Sequence, residues 1–524
     1  MTLRQESLSA EEVLKRYEKA RQRRAGWEGH WQECYDYALP LRGGPLASSS
    51  PGAKRSDRLF DGTAPDCVDQ LAASLLAQLT PPWAQWFGLS AGPDLSEEER
   101  ERALPILEKA GTALQSHFDR SNFAIEMHQC YLDLVTAGTA SLLFEEAPLG
   151  SSSAFRFTAV PLSQLALEES VEGRLDTSFR SSEMTLAAIE ERFGEAVVQE
   201  SLRAKTKDDA DRRFKVVEAV LPERHAFHYR AVLDGEGSGG AELLAEGRFE
   251  QSPFINFRWL KAPGEVYGRS PVMKSLPDIK TANKVVELVL KNATIAVTGI
   301  WQADDDGVLN PANIKLVPGT IIPKAVGSAG LTPLETPGRF DVSELMLTDL
   351  RNRISHALMA DRLGQANAPN MTATEVLERS AEMARLLGAT YGRLQSELLT
   401  PLVLRAVAIL KRRGEIPRLQ IDGQQIDLTY KSPLANERGR EDARNILQWL
   451  STVTTFGPLA SQVIDLGAAA RWLARALNVP SELLQAAPAS PGSDPALAAL
   501  AHGAQPAVVA PPPGEVLPVP GGTP

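Results

Sequence analysis

The stretch from Gly264 to Trp301 constrains the fold most, because it predicts a single long helix with a defined start. Ser270 offers a hydroxyl as N-cap, and Pro271 suits the first helical position, where its missing N–H costs nothing. Apolar residues then recur at spacings of three, four and seven, which places them on one stripe: Val272, Leu276, Ile279, Val286, Leu290 and Ala293. Pro277 lies inside this pattern and predicts a kink in the first turns.

A lysine face runs beside the apolar stripe of this helix. Lys280, Lys284 and Lys291 fall together there by the same 3.6-residue period. The period alone favours a half-buried helix with a solvated lysine face.

Composition limits the kinds of partner that the chain can bind. The 524 residues suffice for roughly three or four domain-sized units. The net charge of −11 argues against tight, sequence-independent DNA binding, which depends on lysine and arginine neutralising phosphates. A like-charged wall is nevertheless compatible with loose contact, since it repels phosphates and lets a duplex slide.

The three cysteines, Cys34, Cys67 and Cys130, stand far apart and form no CxxC motif. This spacing indicates a reducing compartment, without a disulfide framework or a cysteine-based zinc site. The sequence has no apolar run long enough for a membrane helix and no signal peptide at its start, so we expect synthesis in a cytoplasm.

The N-terminal part predicts helices followed by strands. Ser9 and Glu12 form a capping box that opens a helix to about Ala38, with Leu14, Tyr17 and Trp31 as anchors. A basic cluster on it favours a solvated face over a nucleic-acid patch: Lys15, Arg16, Lys19, Arg21, Arg23 and Arg24. Further helices are predicted at 71–79, 96–118 and 123–136, and strands at 141–144, 155–160, 215–221, 227–233 and 254–259.

The C-terminal part predicts two further long helical segments. Ser343 can cap a helix that carries an apolar stripe and ends near Gly364: Met346, Leu350, Ile354 and Leu358. The polar loop 364–370 leads to a capping box at Thr372–Glu375, which opens a helix that Pro401 should kink near 397–400 and Gly414 should end.

Three other C-terminal segments have weaker patterns. Asp304–Gly307 is a tight turn rather than a calcium loop, because position 302 is Gln where an EF-hand needs an acidic ligand, and 314–323 reads as a strand. Short helices over 433–484 have Trp449, Phe456 and Trp472 as core candidates. The Pro-rich stretch 486–524 predicts disorder.

Three blocks resemble the head-to-tail connectors, the portal proteins of short-tailed bacteriophages. They are Tyr267-Gly-Arg-Ser-Pro271 with 276–289; Asp61 to Phe87, where a helix ends in Leu-Thr-Pro-Pro before Trp-x-x-Trp-Phe; and Met371-Thr-Ala-Thr-Glu-Val with 386–388 and 391–398. The resemblance covers roughly Ser9 to Gln485, with the blocks in the expected order.

The resemblance implies a predominantly helical α+β portal fold that forms a ring oligomer. Its segments would be a wing (1–263), a first stem helix (264–300), a clip (301–340), a second stem helix (341–363), a tunnel loop (364–371), a long kinked tunnel helix that returns to the wing (372–432), a helical crown (433–485) and the disordered tail (486–524).

The function implied by the resemblance is a ring of twelve subunits at one capsid vertex. Viral double-stranded DNA would be packaged and later ejected through it, and the ring would help to initiate capsid assembly in the host cytoplasm and remain in the virion. Implied partners are the terminase large subunit, major capsid and scaffolding proteins, tail adaptor or tail tube proteins, and internal core or ejection proteins.

Two sets of residues are the candidate DNA contacts within that channel. The first set is the stem lysine face of Lys280, Lys284 and Lys291. The second is the tunnel loop, with Gln365, Asn367 and Asn370. Both follow from position in the family pattern combined with helical geometry.

No motif with a catalytic mechanism is present, so we predict no enzyme, catalytic residue, metal or cofactor. GxxxxGK[ST] and HExxH are both missing from the sequence. His225 and His228 lie three apart on a strand, which puts them on opposite faces. The alternatives are another ring or adaptor protein of the head–tail junction and, from a different class, a packaging enzyme with nuclease or NTPase activity.

Overall fold

The computed structural model describes residues 8–44, 55–82, 84–92, 94–194, 203, 209, 211–223, 226–235, 241–298, 301–303, 331–333, 340–360, 387–388, 390–417, 426–430, 436–454 and 466–476. The chain divides into two compact units, and both mix helices with strands. The predicted α+β class is therefore confirmed.

The first unit comprises residues 1–86, 117–405 and 431–441. Its helices are α1 (Ala10–Ala38), α2 (Thr63–Leu79), α4 (Phe123–Ala137), α5 (Leu186–Phe193), α6 (Pro271–Thr298) and α7 (Phe340–Ala357), and the last residues of α3 (Glu97–Asp119) also belong to it. A π-helical turn at Gln395–Leu399 leads into α8 (Thr400–Arg413).

Antiparallel sheets form the rest of this unit. One sheet has the order β3-β2-β9, from β2 (Thr139–Glu146), β3 (Phe155–Ala159) and β9 (Phe254–Arg258). The other is a five-stranded meander of β4 (Leu165–Glu168), β5 (Thr177–Thr185), β6 (Arg213–Glu223), β7 (Ala226–Leu233) and β8 (Glu242–Phe249). A short pair joins β10 (Trp301–Ala303) to β11 (Leu331–Pro333) within the predicted clip.

Helix α1 covers one face of the five-stranded sheet. Val13, Tyr17 and Ala20 of α1 pack against Phe179 and its neighbours on the sheet, and the capping box of Ser9 is present as predicted. Helix α5 covers the opposite face with Ile189. The five-stranded sheet is thus a middle layer between two helices.

Aromatic side chains fill the core where α4 meets the three-stranded sheet. Phe118, Phe123, Phe144 and Phe157 contact one another with ring centroids 4.3 to 6.3 Å apart. Trp86 joins them through Phe118 and Phe123. The predicted aromatic cluster is therefore core, although Trp83 lies outside the described residues.

The prediction of a solvated basic face on α1 is wrong for one residue, Arg24. Arg24 is buried, because its guanidinium donates to the main-chain carbonyls of Leu162, Ser163 and Leu165 and pairs with Glu28. Lys15, Lys19, Arg21 and Arg23 are exposed, and Arg16 is half-buried in an ion pair with Glu168. A buried loop needs donors for its carbonyls, and a long arginine on a neighbouring helix supplies them.

Helices α6 and α7, which the resemblance assigns to the stem, pack against each other. α7 begins at Phe340, so the prediction that Ser343 caps it is wrong; a serine is tolerated inside the first turn of a helix. α7 also ends at Ala357, before the predicted end near Gly364. The chain turns just after the helix, at Met359, which has a φ of 58°. Its stripe is buried at Leu350, Ile354 and Leu358 but not at Met346.

The second unit comprises residues 87–116, 406–430 and 442–524. β1 (Phe87–Ala91) pairs antiparallel with β12 (Ile426–Tyr430). Most of α3 belongs to this unit, with α9 (Asn436–Thr454) from Asp442 onward and α10 (Leu466–Ala476). Trp449 is half exposed, so its predicted core role is wrong for the part of the subunit that the structure describes.

Several predictions fall outside the described residues and stay predictions. They are the turn 304–307, the strand 314–323, the loop 364–370 with Gln365, Asn367 and Asn370, the capping box at 372–375, Phe456, His225 and the tail 486–524. Within the described part, α8 ends at Arg413 before Gly414, which has a φ of 73°, as predicted.

Candidate functional site

The candidate site is built on α6 and α7, which the resemblance assigns to the stem, and on their contacts with the N-terminal elements, which it assigns to the wing. The turn before α6 sets the position of this site. The Ser270 hydroxyl accepts the Met273 N–H at 2.9 Å and donates to the Thr136 carbonyl at 2.8 Å. The predicted N-cap is therefore confirmed, and it also attaches the start of the stem helix to the end of α4.

Two glycines let this turn lie against the start of β2. Gly138 has a φ of 78°, and a Cβ on Gly268 would stand 2.1 Å from the Gly138 carbonyl oxygen. The Gly268 N–H donates to Thr139 Oγ1 at 2.8 Å. Only residues without side chains permit this approach of two backbones.

Tyr267 anchors the same turn on the opposite side. Its buried ring lies 5.0 Å from Trp31 and 6.0 Å from Trp27 on α1, measured between centroids, and its hydroxyl accepts the Leu167 N–H at 3.1 Å. The Tyr267 to Ser270 block thus joins four elements of the wing at the base of the stem.

Asn283 holds a segment of the wing against the middle of α6. Its amide oxygen accepts the N–H groups of Phe60 and Asp61 at 2.6 and 3.1 Å, and its amide nitrogen donates to the Arg58 carbonyl at 2.9 Å. Asn283 and Asp61 are buried, whereas Phe60 is 40% exposed. The side chain replaces a β-ladder partner for the loop.

Asp61 completes the junction by joining α2 to α7. One carboxylate oxygen accepts the Thr63 N–H at 3.0 Å, and the other pairs with Arg351 at 2.8 Å. Burial raises the pKa of Asp61, but the hydrogen bonds from Thr63 and Arg351 outweigh it and hold the pKa below its ordinary value. Asp61 is therefore ionised throughout the neutral range.

Each of the predicted channel lysines has an acidic partner. Lys280 pairs with Glu33 of α1 at 3.2 Å and lies 5.9 Å from the Tyr37 ring centroid. Lys284 and Lys291 both bind Glu287, at 2.9 and 2.6 Å. The structure thus brings Lys284 and Lys291 together around one carboxylate but places Lys280 beside the wing.

The apolar stripe of α6 is buried in only its first half. Val272, Leu276 and Ile279 are buried, whereas Leu290 is 51% exposed. Exposed apolar residues continue on both stem helices: Leu288, Leu290, Leu345 and Met346. Water is an unfavourable surrounding for a group of large apolar side chains.

Neither a metal-ligand cluster nor a membrane-spanning helix occurs within the described ranges. No group of three or more His, Cys, Asp and Glu side chains there could hold a metal ion. None of the helices described there combines the length and apolarity of a membrane span. His228 is paired with Glu246 at 2.7 Å.

The junction contacts connect two of the three sequence blocks that resemble the family. Asp61 belongs to one block and Asn283 to another, and the structure joins them directly. Sequence reasoning did not find this pair or Arg351, because residues hundreds of positions apart leave no local pattern. The one available signal was that both residues lay within blocks that resembled the same family.

Comparisons with known proteins identify the family of this chain. The family described as bacteriophage head to tail connecting protein matches residues 10–484, so the chain belongs to this family. Its members are portal, or head-to-tail connector, proteins of phages.

Curated relatives match over most of both chains. The probable portal protein of Bordetella phage BPP-1 is 25% identical over 482 residues, which is 88% of this chain and 85% of the relative. The portal protein of Salmonella phage epsilon15 is 24% identical and covers 87% and 85%. The portal protein of Escherichia phage T7 is 23% identical and covers 77% and 75%.

Solved structures give a weaker likeness. A chain from the virion of a native gene transfer agent particle aligns with a TM-score of 0.35 and 13% identity, covering 76% of this chain and 92% of that chain. A chain from the neck of an empty particle aligns with a TM-score of 0.36 and 12% identity, covering 77% and 93%.

Proposed function

We propose that this protein forms the portal vertex of a short-tailed phage, a ring of twelve subunits through which double-stranded DNA enters the capsid and later leaves it. The observation that carries the proposal is the family match over residues 10–484, together with relatives that are themselves portal proteins. In this proposal the chain has a structural role and catalyses no reaction.

The exposed apolar side chains of the stem support ring formation. Leu288, Leu290, Leu345 and Met346 lie on the two helices that the family pattern assigns to the channel wall. Burial of apolar surface yields about 25 cal/mol per Å², so covering these side chains with a neighbouring subunit is favourable. We infer that the stems of adjacent subunits meet here.

The lysine face supports weak contact with DNA rather than tight binding. Lys284 and Lys291 share one carboxylate, which leaves a local charge of +1 on a largely exposed surface. Such a surface attracts phosphates only weakly at physiological salt, and a moving duplex needs a wall of that kind. Gln365, Asn367 and Asn370 are the proposed contacts on the tunnel loop.

Partners of the ring follow from the same proposal. They are the terminase large subunit during packaging, the major capsid and scaffolding proteins during assembly, tail adaptor or tail tube proteins at the exit, and internal core or ejection proteins. The ring is assembled in the bacterial host cytoplasm and remains in the virion.

The test replaces Lys280, Lys284 and Lys291 together with Gln and measures ring yield by negative-stain imaging and DNA content per head. We expect normal rings with a central hole and altered DNA content, because the channel wall loses its positive charge. The control is Lys15→Gln with Lys19→Gln and Lys109→Gln, which are exposed lysines away from the stem.

Three other outcomes would count against parts of the proposal. Unchanged rings and unchanged DNA content would make the lysines ordinary solvated surface. Loss of rings in the stem variant alone would place the lysines at a subunit interface. A wild-type chain that forms no ring would contradict the portal proposal itself.

A further inference from the structure

The helix that leads into α8 is interrupted at one defined point. Residues 390–394 are helical, Gln395–Leu399 form a π turn, and the Thr400 N–H donates to the Gln395 carbonyl five residues back. Pro401 follows at once; it has no N–H to donate, and in an α-helix its ring would collide with the Glu397 carbonyl. The regular ladder of hydrogen bonds to the fourth residue back is therefore interrupted here.

Glu397, in the middle of this turn, binds a fully buried arginine. Its carboxylate accepts Arg258 Nη2 at 2.6 Å and Arg258 Nε at 3.2 Å, and it also accepts the Arg258 main-chain N–H at 2.9 Å. The Arg258 side chain is 0% exposed and lies at the end of β9. The same carboxylate thus binds both the side chain and the main chain of an edge strand.

The other contacts of Arg258 fix it in place. Its guanidinium donates to Glu169 at 3.1 Å and to the carbonyls of Val266 and Gly173, both at 3.0 Å. Lys261 also pairs with Glu169. Arg258 is thus held by the wing, and Glu397 is the partner that comes from the interrupted helix.

A second arginine attaches α8 to the same sheet. Arg405 donates to the Phe144 carbonyl at 2.9 Å and to the Gln251 carbonyl at 2.6 Å. In a regular α-helix, residues eight apart point about 80° away from each other. The wider π turn takes up part of that angle, so Glu397 and Arg405 both reach the three-stranded sheet.

We propose that the π turn is a joint in this helix and that the contact between Glu397 and Arg258 is a latch that holds the joint at one angle. When the latch opens, motion concentrates at Gln395–Leu399, while α8 stays attached through Arg405. The joint lies on the segment that leads back from the predicted tunnel loop. The inference rests on contacts within one subunit and does not depend on the proposed function.

The experiment is hydrogen–deuterium exchange of the purified full chain with Glu397→Gln. This change keeps the side-chain shape but removes the charge, so we expect exchange at 390–400 to rise at least tenfold, with little change at 402–413. The matched control is Ser396→Ala in the same turn. Ser396 is exposed, and its hydroxyl donates a hydrogen bond to the Arg393 carbonyl within the same helix. If Glu397→Gln does not fold, Glu397→Asp is measured in the same way. This change keeps the negative charge but shortens the side chain by one methylene, so the carboxylate no longer reaches Arg258.

Pro401→Ala locates the joint. This change restores an N–H at the interruption, so adding it to Glu397→Gln should return exchange at 390–400 toward the wild-type rate. Equal exchange in Glu397→Gln and Ser396→Ala, or a rise that is the same on both sides of the turn, would overturn the latch. No effect of Pro401→Ala in the double variant would overturn the joint.

Discussion

Asn283 uses both ends of one amide to hold main-chain groups that lie up to 225 residues earlier in the chain. An amide is suited to this position because the loop around Phe60 offers two donors and one acceptor. A carboxylate would supply no donor, and an apolar side chain would satisfy none of them. The residue therefore holds the loop around Phe60 against α6.

We expect Asn283→Ala to lower the free energy of unfolding by about 1–3 kcal/mol, since three main-chain groups, including the N–H of the buried Asp61, lose their hydrogen-bond partner. The measurement is chemical denaturation of the subunit. Asn292→Ala, an exposed asparagine further along α6, serves as control and should change little. Equal stability of Asn283→Ala and wild type would show that water replaces the amide.

At the scale of elements, local chemistry predicted where α1 and α6 begin but not what they contact. Ser270 and Pro271 marked the start of α6 because capping involves neighbours in sequence. The burial of Arg24 and the exposure of Leu290 depend on what packs beside α1 and α6, which the local sequence does not specify. Ser343 fails as a cap because a hydroxyl permits a helix start without enforcing one.

Asp61 makes the attachment of α2 to α7 dependent on pH. Because its folded-state pKa lies below the ordinary value, its stabilising effect is complete above the unfolded pKa of about 3.9 and is lost as the pH falls through the folded value. We expect the difference in denaturation midpoint between wild type and Asp61→Asn to be larger at pH 6 than at pH 3. A difference that does not change with pH would contradict the ionised pair.

At the scale of the whole molecule, a single subunit leaves part of the apolar surface of α6 and α7 exposed to water. The buried half of α6 is stabilised by the wing, and the exposed half has large apolar side chains without cover in the described residues. The family match explains this pattern if a second copy supplies the cover. The ring would then be part of how the stem is stabilised.

We expect Leu290→Glu to prevent ring formation while leaving the unfolding midpoint of the subunit nearly unchanged, because Leu290 is already 51% exposed. Sedimentation and negative-stain imaging report the ring, and denaturation reports the subunit. The control is Val171→Glu, at a fully exposed apolar position in a loop. Rings of normal yield in Leu290→Glu would place the subunit interface elsewhere.

The pairing of Asp61 with Arg351 spans 290 residues, and this separation has a consequence for the newborn chain. At about 5–20 residues per second, a ribosome takes roughly 15–60 seconds to make the interval between the two residues. Throughout that time Asp61, just before α2, has no Arg351 to pair with. The contact between Asp61 and Arg351 can therefore form only after the ribosome has passed Arg351, so a chain truncated before Arg351 cannot make it.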